Sequence, residues 1–225
     1  MSSASPSSPF SCAPFIKEIG RGKEGARGLS REQAAILYAA LLRSQVSDLE
    51  LGAVLIALRV KGETRDELAG FLDAIADNWP AGLHTQPIQV LEQLNGHSIA
   101  SGKPVVVIPS YNGARRKPNF TPLLAGLLAR QGYPVLVHGL QQDFTGRVTS
   151  AEVFAHMDWA KAIPGCTPPV YMPMAHIYPR IDTLLQTRKV LGVRSCTHTL
   201  VKLMLPSMFQ HALLVTSYTH PEFWH

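Results

Sequence analysis

"KPVVVIPSYNGARRKPNFTPLLAGLLARQGYPVLVHG", Lys103 to Gly139, decides the fold. "PVVVIPS" and "YPVLVHG" are continuous apolar runs of strand length. "PNFTPLLAGLLARQG" between them has a helical pattern. Strand, helix, strand is a βαβ unit, and unbroken apolar strands are typical of a parallel sheet buried on both faces. The loop after the first strand is not glycine-rich. It holds one glycine, Gly113, and then Arg115, Arg116 and Lys117. Such a loop can hold a phosphorylated small molecule or track a longer polyanion.

Working towards the N-terminus, the period becomes helical. "SREQAAILYAALLRSQ" opens with Ser30 and has Gln33 three residues on, a capping-box spacing. Ala34, Leu37, Tyr38, Leu41 and Leu42 share one face. "SDLELGAVLIALRVKG" begins at Ser47 and stops at Gly62 after Arg59 and Lys61. "TRDELAGFLDAIADNWP" begins at Thr64 with Glu67 at the third helical position and stops at Pro80. Three helices with short connections make a small helical domain. Residues 87–94 read as a linker. "MSSASPSSPFSCAP" has no basic and apolar signal pattern and reads as a disordered tail.

Towards the C-terminus, a polar loop (140–148) leads to a helix, "SAEVFAHMDWAKA". A proline-rich stretch follows, then the helix "PRIDTLLQTRKVLG", stopping at Gly192, and a last strand, "HALLV". The expected fold is α/β: a small N-terminal helical domain and a larger domain with a mostly parallel sheet of about three strands flanked by helices. The boundaries read as 1–14 tail, 15–85 helical domain and 86–225 α/β domain, with part of 165–192 able to pack with the helical domain.

Charge is unevenly spread. Residues 1–100 hold 9 Lys and Arg against 11 Asp and Glu; residues 101–225 hold 12 against 5. A basic second part points to a polyanionic partner; the plainer reading is a phosphorylated substrate or merely a basic surface. Three places carry the candidates. The loop after the first strand offers Asn112, Gly113, Arg115, Arg116 and Lys117. The end of the next strand offers His138, with Arg147 on the loop beyond. "QTRKVLGVRS" and its continuation offer Arg188, Lys189, Arg194 and Lys202. Each has a plain alternative: a solvated basic turn, a structural strand-end histidine, and cations that complement a helix C-terminus.

Nucleotide-loop, nucleophile-elbow and zincin motifs are absent, and no metal site is expected. The three cysteines are scattered, with no CxxC pair, and fit a reducing cytoplasm. No apolar run is long enough to cross a membrane.

"ALRVKGETRDELAGF" (Ala57–Phe71) resembles the N-terminal domain of anthranilate phosphoribosyltransferases and class II pyrimidine nucleoside phosphorylases. "VVVIPSYNGARRKPN", "VLVHG" and "RKVLGVRS" then follow in the family order. The departures are specific. A GTGGD-type loop of the enzymes is here "PSYNGARRK", with bulky Tyr111 and no aspartate. A KHGN-type segment is here "VHGL", with Leu140 in place of asparagine. An FNxLGPLxNP-type stretch is here "THTLVKLMLP". This pattern resembles the non-biosynthetic, YbiB-type branch of the superfamily. That resemblance implies homodimers through the helical domain and sequence-independent binding of DNA or RNA by basic surfaces. It also implies that the family continues beyond His225, where its acidic metal-binding pair would fall, so a C-terminal truncation is expected. No catalytic residue and no cofactor are assigned. The alternative is a magnesium-dependent phosphoribosyl transfer to anthranilate, with Arg115 and Lys117 on the diphosphate and His138 at the acceptor.

Overall fold

A computed structural model describes residues 10–22, 24–80, 85–111, 118–143, 145–206, 209 and 211–217. The chain divides into two compact units, Met1–Trp79 with Val190–Leu200, and Pro80–Lys189 with Val201–His225.

The first unit is built on capped helices: α1 (Ala13–Ile19), α2 (Arg31–Leu42), α3 (Asp48–Lys61) and α4 (Arg65–Asp77). Ser30, Ser47 and Thr64 each start the helix expected of them, and each makes a full reciprocal capping box, with Gln33, Glu50 and Glu67. Each box satisfies two backbone donors that the first helical turn leaves open. The face read for α2 is buried throughout, from Ala34 to Leu42. The Tyr38 ring packs at a tilt against Phe71 of α4, with centroids 4.9 Å apart. Gly70 permits this closeness: a Cβ there would lie 2.1 Å from the Arg31 carbonyl oxygen. The tail is shorter than expected. Cys12 is fully buried and its N–H donates to Glu50 Oε1 at 3.0 Å, so ordered structure begins before Ala13. Residues 1–9 lie outside the described residues.

The second unit opens with α5 (Thr85–Ser101), where a linker was expected. Pro87 falls in the first turn of α5, where a missing N–H costs nothing. Then come β1 (Val105–Ser110), α6 (Thr121–Arg130), β2 (Val135–Gly139), α7 (Ser150–His156), α8 (Trp159–Ala162), β3 (Val170–Pro173), α9 (Met174–Ile177), α10 (Pro179–Gln186), α11 (Arg188–Leu191), α12 (Thr197–Leu200) and β4 (Ala212–Leu214). The chain re-enters the first unit at Val190, within α11, and leaves it after α12. There Tyr38 Oη and Thr197 Oγ1 share a hydrogen bond of 3.1 Å.

The four strands are all parallel, in the order β3-β2-β1-β4. β1 is central, and Val105, Val106 and Val107 are all buried, which explains their unbroken apolar run. Val106, Ile108, Val135 and Val137 pack with Ala125 and Ala129 of α6 and with Ile163. β3 is a fourth strand that the proline-rich stretch hid. Among the described residues it pairs with β2 alone, and an edge position tolerates Pro173. The helix expected from Ser150 is broken: Met157 is extended, and Asp158 starts a new cap by accepting from Lys161 N.

Candidate functional site at the sheet edge

β1 and β2 end level, with Ser110 opposite Gly139. Gly139 is required there, since a Cβ would lie 1.9 Å from the Ser110 carbonyl oxygen. The carboxyl edge of an open parallel sheet is where ligands bind in α/β folds.

Tyr111 turns inward directly after β1 and is buried. Its Oη lies 2.7 Å from His138 Nδ1, and the rings meet edge-on at 5.5 Å. Burial lowers the His138 pKa to about 4, so the ring is neutral at physiological pH. Among the described residues, His138 Nε2 has no hydrogen-bond partner. Burial also raises the Tyr111 pKa, with Tyr171 and Asp182 adding to the shift. Tyr171 Oη donates to the Leu140 carbonyl at 2.8 Å. Burial holds the Asp182 carboxyl above its ordinary value, opposed by Gln186 and Lys189.

A second network of side chains joins the same edge. Ser110 Oγ and Ser150 Oγ lie 2.7 Å apart, and Asn119 Nδ2 donates to Ser150 Oγ at 3.0 Å. Thr121 N donates to Asn119 Oδ1 at 3.2 Å, which ties the start of α6 to the start of α7. Thr149 caps α7 through a reciprocal box with Glu152.

Asn112, Gly113, Arg115, Arg116 and Lys117 lie outside the described residues. Arg147 and Arg188 both act on Asp143. Burial works to raise that carboxyl, but hydrogen bonds from Thr145 and the two arginine charges hold it below its ordinary value. Lys189 acts on Asp182. Lys202 is half-buried in the second unit, while Arg194 belongs to the first, so the run "RKVLGVRS" is split between units. His138 needs correction as a phosphate contact. It is at the edge, but buried and uncharged, because desolvation outweighs any gain from protonation. The sequence reading missed Ser150, Asn119, Tyr171 and Asp182. Only the Thr149–Glu152 spacing was a visible signal for the first of them.

A glycosyl transferase family, helical bundle domain matches residues 13–78. YbiB of Escherichia coli, an uncharacterised protein, is 43% identical over 218 residues, 93% of this chain and 63% of its own length. The chain is similar to the anthranilate phosphoribosyltransferase-like superfamily, and within it to the YbiB-type branch. The anthranilate phosphoribosyltransferase of Shewanella putrefaciens is 33% identical over 126 residues, 56% of this chain and 32% of that enzyme. The crystal structure of the Thermus thermophilus anthranilate phosphoribosyltransferase shares the fold. Its TM-score is 0.59 at 20% identity, over 84% of this chain and 54% of that one. The chain spans about three-fifths of the length of its YbiB-type relative. Among the described residues, no helix is long and apolar enough to cross a membrane.

Proposed function

We propose that this chain binds nucleic acid without reading base sequence, through cations of its α/β unit. The charge partition carries the reading. The helical unit holds 10 Lys and Arg against 10 Asp and Glu; the α/β unit holds 11 against 6, a balance of +5. Sequence-independent binding is a matter of phosphate charge, so a concentrated positive balance is what it requires. Tyr111 supports the same reading. A pocket in which backbone closely approaches a diphosphate wants glycine, and here a buried tyrosine bonded to His138 follows β1. The contacts in this reading are Arg115, Arg116 and Lys117, with Arg147, Arg188, Lys189 and Lys202 beyond them. A cytoplasmic location accompanies it: Cys12, Cys166 and Cys196 are all free thiols.

The test is a titration with a fluorescent oligonucleotide across a salt series. For about four to six phosphates engaged, log K falls against log salt with a slope of about −3 to −5. Replacing Arg115, Arg116 and Lys117 together by Ala weakens binding by about 2–4 kcal/mol and leaves the protein folded. A flat salt response, or strong preference for one sequence over shuffled controls, removes the reading.

Similarity to enzymes named anthranilate phosphoribosyltransferase favours a second reading, magnesium-dependent phosphoribosyl transfer. Among the described residues, no group of three or more His, Cys, Asp and Glu is placed to hold a metal ion. Magnesium-dependent consumption of anthranilate, abolished by Arg115→Ala, would replace the first reading with this one.

A further inference from the structure

Tyr111 lies one residue beyond the last pair of the β1–β2 ladder, Ser110 with Gly139, so it belongs to the carboxyl edge of the sheet. The register pairs Pro109 with His138 and His138 with Met172. Side chains alternate along a strand, so those three share one face. Tyr111, two residues past Pro109, falls on it as well. The opposite face takes Ile108 and Val137, which pack with α6. Tyr111 is 8% exposed, His138 2% and Met172 4%.

The Tyr111 ring is buried, but the groups near its hydroxyl are polar. His138 Nδ1 lies 2.7 Å from Oη. Tyr171 and Asp182 are near enough to act on the phenol, and Tyr171 is itself held on the Leu140 carbonyl. A buried imidazole is costlier than an apolar side chain of its shape unless its nitrogens are partnered. Among the described residues, only Nδ1 is. Core packing alone gives no reason for this histidine. An apolar-walled position with one placed polar group is how a small aromatic molecule is held, and the carboxyl edge is where such positions lie in parallel sheets.

We infer that Tyr111 is the chain's own occupant of a small-molecule position at the sheet edge: its ring and hydroxyl fill, on His138, the space that a free phenol of the same size would take. The parent chain is therefore closed to small aromatic molecules there. The inference stands apart from the nucleic-acid reading. It also removes the acceptor position that phosphoribosyl transfer would place at His138.

The experiment uses the full chain carrying Tyr111→Gly, which deletes the side chain, and p-cresol, which returns it as a free molecule. A cavity opened by truncation binds a ring of matching size. Isothermal titration compares p-cresol with toluene, which has the ring and methyl group without the hydroxyl. Tyr111→Gly binds p-cresol at least about five-fold more tightly than toluene, because one buried hydrogen bond separates them. The parent and Tyr111→Phe, whose rings fill the space, bind neither. Adding His138→Leu to Tyr111→Gly removes the preference for p-cresol. If Tyr111→Gly does not fold alone, refolding in p-cresol followed by circular dichroism is the readout: recovery supports the inference, and no recovery up to the solubility limit overturns it. A folded Tyr111→Gly that binds neither molecule, equal affinities for the two, or a parent that binds p-cresol as its variant does, also overturns it. Oligonucleotide binding by the parent bears on the nucleic-acid reading alone, so the two fail separately.

Discussion

His138 shows how one buried residue sets a pH dependence. Burial lowers its pKa in the fold to about 4, against an ordinary value of about 6.5 in the unfolded chain. Between those values the unfolded chain binds the extra proton, so stability rises with pH across the window and is lost as pH falls through it. Compared at about pH 7.5 and about pH 5, the parent should lose about 2 kcal/mol more than His138→Gln. Urea unfolding of both proteins at each pH checks this, and using the difference cancels the carboxylates common to both. Parallel pH profiles would mean that His138 is solvated. Tyr111 is the other half of the pair: without its hydroxyl, His138 Nδ1 would lose the partner seen here, as Nε2 has none among the described residues.

At the scale of elements, α4 begins on a buried charge. Glu67 is fully buried, and its carboxylate accepts from Leu29 N at 3.0 Å, from Thr64 N at 2.8 Å and from Lys61 Nζ at 2.7 Å. The Lys61 side chain is only 8% exposed. One carboxylate thus caps α4, anchors the segment before α2 and neutralises the last residue of α3. Removing one partner of such a pair leaves the other charge buried, which costs more than the pair itself contributes. Glu67→Ala should therefore destabilise the protein by about 3–5 kcal/mol. Glu67→Gln, which retains an acceptor oxygen, should lose less. Chemical denaturation followed by circular dichroism measures both; an alanine variant within about 1 kcal/mol of the parent would show that the site relaxes or floods.

For the whole molecule, the helical unit leaves an apolar stripe uncovered. Leu49, Ala53, Ile56 and Val60 recur at helical spacing along α3, with Leu49 84% and Val60 70% exposed. A contiguous apolar face left exposed on a folded unit marks a contact surface. A two-fold contact between copies of this face is the dimer proposed for the chain, and it would place two basic units on one polymer, raising avidity without new contacts. Light scattering at micromolar concentration should give twice the chain mass. Leu49→Glu combined with Val60→Glu should give the monomer and weaken binding of long oligonucleotides more than short ones. A monomeric parent that keeps its affinity would remove the dimer from the account.

The elements with strong local signals were legible in the sequence: three helix starts, the buried face of α2, the βαβ unit and its parallel sheet. Each depends on residues within a few positions of one another, where spacing alone dictates which groups meet. The edge strand β3 was not legible, because four residues among prolines carry little periodicity and its strand state comes from pairing with β2. Nor was α5, whose Pro87 reads as a break unless the helix is known to start just before it. The return of Val190–Leu200 to the helical unit depends on Tyr38 meeting Thr197, 159 residues apart in sequence. The candidate site divides in the same way. The sequence placed the cations and the strand ends by composition and order. Only the tertiary structure decided that Tyr111 turns inward onto His138, because burial and desolvation are properties of what surrounds a side chain in space.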